Sequence, residues 1–88
     1  MISVTYKLTA DVIARAANLL NWNLKTVNSS VDIINAEGRK VNGKSLVGLL
    51  SGKLRKNDEI KVIVDHIEDL PIVKSYFNEV GKEIKQKG

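Results

Sequence analysis

The sequence predicts an α+β fold, a four-stranded antiparallel sheet with every helix on one side, and two observations carry that reading. Hydrophobic spacing alternates between period two and the 3.6-residue helical period, giving the order strand, helix, strand, strand, helix, strand, helix. Each strand so read has one apolar face and each helix one apolar stripe, and two stacked layers bury them all. With 88 residues there is room for one domain, spanning 1–88, and one modest core.

Ile2, Val4, Tyr6 and Leu8 alternate with polar residues and mark the first strand. From Ile13 the spacing changes, and Ile13, Ala16, Ala17, Leu20, Leu24 and Val27 line a helical stripe with Asp11 as a nearby capping residue. Residues 31–36 and 39–41 form a hairpin about Glu37-Gly38. Asn42-Gly43-Lys44-Ser45 has turn chemistry ending in a helix N-cap, and Gly52 is placed to close that short helix. Asn57-Asp58 turns the chain into a strand at 59–65, with Ile60, Val62 and Val64 on one face. The last helix takes Leu70, Val73, Phe77, Val80 and Ile84 as its stripe, with Asp69 as cap and Pro71 in the first turn.

Composition excludes several functions. The chain has no cysteine, so neither a disulfide framework nor a thiolate metal site is expected. No run approaches the roughly 20 apolar residues of a membrane span, and residues 1–7 lack a signal peptide's apolar run, so a cytoplasmic location is expected. The net charge of +4 comes from scattered lysines. Only Lys53, Arg55 and Lys56, and the tail Lys82, Lys85 and Lys87, are concentrated, without the interleaved aromatics of a single-strand binding face. Nucleic acid is therefore an unfavoured partner. No metal or cofactor is expected.

Two motifs point further. Ala14-Arg15-Ala16-Ala17 opens one helix, and Val41-Asn42-Gly43-Lys44-Ser45 opens another. Their separation, and the run of residues 39–60, resemble HPr, the small phosphocarrier family of the bacterial sugar phosphotransferase system. The resemblance implies an open-faced β-sandwich of order βαββαβα, three helices covering a four-stranded antiparallel sheet. It also implies that Ile13 stands where the family has its phosphate-accepting histidine, Ala16 where it has a proline and Asp11 where it has a glycine. Arg15 matches the arginine beside that histidine, Ser45 the serine that HPr kinase phosphorylates, and Leu46, Val47 and Leu50 the apolar docking face.

Phosphoryl relay needs a nucleophilic nitrogen that forms and releases a labile phosphoramidate. Ile13 offers only carbon, and esters on Ser3, Thr5 or Thr9 would be too stable to pass phosphate on. The single histidine, His66, keeps the parity of Val62 and Val64 and is expected at the strand's end as a structural or solvated residue. Ser45 is expected to cap its helix whatever else it does. Leu46, Val47, Leu49 and Leu50 cannot all face inward, so part of them, with Ile13, should form an exposed patch rimmed by Arg15 and Lys44; Leu49 and Leu54 should be core. Trp22 falls off the buried stripe near Leu19, as partial core or a second interaction face.

The resemblance is closest in logic to the histidine-lacking catabolite-repression (Crh) branch. It implies a non-enzymatic protein switched by phosphorylation at Ser45, with HPr kinase and a transcriptional regulator as partners. The competing readings are a phosphocarrier with an atypical acceptor and a constitutive binding domain that has lost both phosphorylations.

Overall fold

The structure is a computed structural model that describes residues 1–85. Its elements are β1 (Ile2–Leu8), α1 (Ala14–Leu24), β2 (Val31–Ile34), β3 (Lys40–Asn42), α2 (Leu46–Ser51), β4 (Glu59–Val64), α3 (Leu70–Phe77) and β5 (Gly81–Ile84), with a 3₁₀ turn over Ile67–Asp69 leading into α3. The strands lie in the order β3-β2-β4-β1-β5, and every neighbouring pair is antiparallel. Tyr6, Leu8, Val31, Ile33, Val41, Ile60, Val62 and Val64 project from one sheet face into a core closed by Ala17, Leu20, Leu24, Leu49, Val73 and Phe77 of the helices. Their strand neighbours Lys7, Glu59 and Lys61 face solvent on the other side, as the period of two requires.

The sheet has five strands where the sequence predicts four. The final helix ends at Phe77 instead of running to Ile84, and Gly81–Ile84 adds to the open edge of β1 with Leu8 opposite Gly81 and Thr5 opposite Ile84. Pairing there satisfies backbone groups of β1 that β4 cannot reach. Val80 is buried as its spacing implies, but in the turn, where its carbonyl accepts from the Thr9 amide at 2.8 Å. Gly81 permits the close approach: a Cβ there would sit 2.7 Å from the Lys7 carbonyl oxygen.

Other boundaries shift for similar reasons. β2 stops at Ile34 because buried Asn35 turns inward, its Oδ1 accepting from the Glu37 and Arg39 amides at 3.0 and 2.9 Å and its Nδ2 donating to the Gly52 carbonyl at 2.8 Å. Gly38 takes the left-handed φ of 83° that this turn needs. Asp69 does not cap α3; its carboxylate accepts from the hydroxyl and amide of Ser29 at 2.6 and 3.2 Å, tying the start of β2 to the approach of α3. Pro71 lies in the first turn of α3 as expected. Val27 lies beyond the end of α1 yet stays in the core.

Tyr6 locks sheet to helix. Its ring is fully buried, 5.8 Å from that of Phe77, and its hydroxyl donates toward Asn78 Oδ1 at 2.9 Å and the Lys74 carbonyl at 3.1 Å. Burial, helped by the Glu83 carboxylate, pushes the phenol up to about 12. The folded state thus disfavours the phenolate, so Tyr6 contributes its stability in full below the ordinary value of 10.0 and loses it as pH rises toward about 12. Urea midpoints at about pH 9 and about pH 11.5 should therefore differ more for the wild type than for Tyr6→Phe. Gly81→Ala should cost about 1–3 kcal/mol in urea denaturation, because β5 must retreat from β1 to seat the methyl group.

Candidate functional site

The geometry around Ile13 is set by the loop that joins β1 to α1. Val12 is buried, and its amide donates to the Leu54 carbonyl at 2.9 Å. Asp11, expected as a helix cap, instead accepts from the Lys56 amide at 2.8 Å, because the anchored Val12 turns it toward the loop before β4. Ile13 then occupies the N-cap position of α1 with extended backbone and no capping side chain, and 56% of it is exposed. Ala14 follows with φ of 47°, a left-handed conformation that costs a residue with a Cβ about 1–2 kcal/mol. The Ala16 and Ala17 amides donate back to the Ile13 carbonyl at 3.1 and 3.4 Å and hold the turn.

α2 begins as the sequence predicts. Asn42 Oδ1 accepts from the Lys44 amide at 2.9 Å, and Ser45 caps the helix, its Oγ accepting from the Gly48 amide at 3.0 Å. Gly43 is required: a Cβ there would lie 2.9 Å from the Val31 carbonyl oxygen, which its own amide bonds at 2.8 Å. Leu49 and Leu54 are core. Val47 and Leu50 remain 75% and 47% exposed, whereas Leu46 packs half-buried against the core.

The structure brings Ile13 and Leu50 together as walls of a groove of about 350 Å³, with Leu54 behind them and Asp11, Lys53 and Arg55 around them. Arg15 is exposed and carries no ion pair or side-chain hydrogen bond among the described residues. Lys44 is engaged elsewhere: its ammonium donates to the Val27 carbonyl, just beyond α1. Lys53 pairs loosely with Glu37 at 3.8 Å, and Arg55 is a groove cation that sequence reasoning missed. The cluster of basic residues at 53–56 is visible in the sequence, but it takes the bonds between the two loops, Val12 to Leu54 and Lys56 to Asp11, to bring it beside Ile13.

His66 lies beyond the end of β4, which stops at Val64, and its side chain is exposed. Its backbone amide donates to Ser29 Oγ at 3.1 Å. Next to it, a hydrogen bond from Ser30 holds the Asp65 carboxyl below the ordinary carboxylate range. Val64 pairs with Ile2, at the start of β1, whereas Ile13 follows the strand's far end, so the histidine sits at the opposite end of the sheet. Trp22 is 76% exposed beside exposed Leu19. Among the described residues no three His, Cys, Asp or Glu side chains are grouped to hold a metal ion, and no helix is long and apolar enough to cross a membrane.

The family model PTS-HPr, described as the PTS HPr component phosphorylation site, matches residues 2–70. No curated protein matches the chain in sequence. Among solved structures, HPr-C-His from Thermoanaerobacter tengcongensis is similar at 21% identity and TM-score 0.79, covering 91% of each chain. A histidine-containing phosphocarrier protein from mycoplasma is similar at 19% identity and TM-score 0.77, over 89% of this chain and 93% of its own. The Bacillus subtilis catabolite repression protein Crh, solved as a swapped, intertwined dimer, is 27% identical with TM-score 0.67 over 90% of each chain.

The cap on α2 is open to direct measurement. Ser45→Ala should cost about 1 kcal/mol in urea denaturation, and Ser45→Asp less, since aspartate caps nearly as well as serine.

Proposed function

The chain belongs to the HPr family of the sugar phosphotransferase system, and from that premise we propose that it is a non-enzymatic regulatory protein that does not relay phosphate. The observation that carries the reading is Ile13, an aliphatic side chain standing in the open at the start of α1, where the resemblance in sequence would put the family's reactive histidine. An imidazole accepts phosphate through a ring nitrogen; a sec-butyl group has no lone pair to offer. The exposed side chain suits a different task. With Leu50 and Val47 it supplies apolar surface for a protein partner, and Arg55 supplies charge at the groove; exposed Arg15, two residues beyond Ile13, is a further polar contact in this proposal.

Ser45 is the switch in this proposal, phosphorylated by an HPr kinase. Its hydroxyl is half-buried and already lies at the opening of α2, so a phosphate of about −1.5 to −2 charges would stand beside Val47 without dismantling the core. The partner in this reading is a transcriptional regulator that recognises the phosphorylated form, in a cytoplasmic setting. Crh, a solved relative named for catabolite repression, supports the assignment.

The test has two arms, both read by intact mass. With HPr kinase and ATP the protein should gain one phosphate that Ser45→Ala abolishes; with enzyme I and phosphoenolpyruvate the wild type should gain none. A gain unaffected by Ser45→Ala, or no gain, removes the switch and leaves constitutive binding. Acid-labile phosphate in the second arm replaces the proposal with a carrier using another acceptor.

A further inference from the structure

The open face of the sheet holds an arrangement unrelated to Ser45. Lys7 of β1 and Lys82 of β5 are direct register partners, and both are exposed. Like charges placed directly opposite across two strands repel, and pairing them costs stability. Beyond the strand ends Lys56 joins them, and the three lysines line a groove of about 330 Å³ with Leu8, Thr9 and Asn57. Among the described residues no carboxylate lies within the 4.0 Å of an ion pair to any of these ammonium groups. Glu59 flanks Lys7 in the register on its other side and makes no such pair.

We infer that this groove between Lys7, Lys56 and Lys82 is a binding site for a compact anion carrying two or more phosphate groups. Three point charges on flexible stems converge on one concavity, and ammonium groups suit phosphoryl oxygens. The Thr9 hydroxyl and the Asn57 amide add neutral donors. The lining has no aromatic ring on which bases of a nucleic acid could stack. The attraction of both ammonium groups to a bound anion would offset the Lys7–Lys82 repulsion, so the unfavourable pairing makes sense as part of a site.

Titrating inorganic pyrophosphate into the ¹⁵N-labelled chain at constant ionic strength tests this directly. Saturable amide shifts are expected at Lys7, Thr9, Lys56, Asn57 and Lys82, with orthophosphate binding more weakly. The double variant Lys7→Gln/Lys82→Gln should weaken binding by about tenfold or more, while Lys82→Gln alone should melt at a higher temperature than wild type, showing that the fold survives. Shifts spread over all lysines, a response that never saturates, or a double variant with unchanged affinity would overturn the site. Tighter binding at the same residues by citrate, a single-stranded oligonucleotide, an acidic peptide or anionic vesicles would overturn the assigned ligand class.

Discussion

The antiparallel register of β1 against β4, from Ile2 opposite Val64 to Lys7 opposite Glu59, is the constraint from which the functional geometry follows. It makes the chain leave β1 where it enters β4. The loops at that end are then stitched together by backbone bonds: the Leu8 amide to the Asp58 carbonyl at 2.9 Å, the Asn57 amide to the Leu8 carbonyl at 2.8 Å and the Val12 amide to the Leu54 carbonyl at 2.9 Å. Ile13 comes next to Leu50 because both loops are held in this way. Slipping β1 by one residue against β4 would turn its buried side chains to the solvent face and separate the two.

That end of the molecule also leaves stabilising energy unused. Burying an aliphatic side chain of this size contributes about 1.5–3 kcal/mol, yet Ile13, Val47 and Leu50 stay largely in solvent while Val12, Leu49 and Leu54 between them are sealed. The left-handed backbone of Ala14 adds a local cost at the same place. A sequence shaped only by stability would have no reason to keep three exposed aliphatics beside a conformation that disfavours alanine. Surface of this kind is consistent with a partner completing its burial.

Much of the fold is legible in the residues because local pattern and tertiary environment agree. Alternation in 2–8 and 59–64, the stripe of Ala17, Leu20 and Leu24, the Ser45 cap and the Glu37-Gly38 turn all need only their neighbours in sequence. The errors fall where a distant group competes. Asp11 and Asp69 have the right chemistry for caps, but the Lys56 amide and Ser29 claim them, and Lys44 is drawn to the Val27 carbonyl instead of standing at a rim. Val80 satisfies both a helical stripe and a buried turn, so β5 is hidden from a periodicity argument. Gly81, costly by about 1 kcal/mol inside a helix, was the signal against the longer helix. Of the candidate site, the meeting of Ile13 and Leu50 was foreseeable, whereas Arg55 became visible only once the loops were joined.

The bond from the Tyr6 hydroxyl to the Lys74 carbonyl spans 68 positions, and β1 finds its outer neighbour in β5 only after β2 to β4 and the three helices have been made. Contacts that distant must close a large loop before they return any energy, which slows folding and makes it cooperative. A nascent chain emerging from the ribosome would therefore carry β1 with one edge bare until β5 had been synthesised, and during that interval its first strand is the segment most exposed to mispairing with another copy.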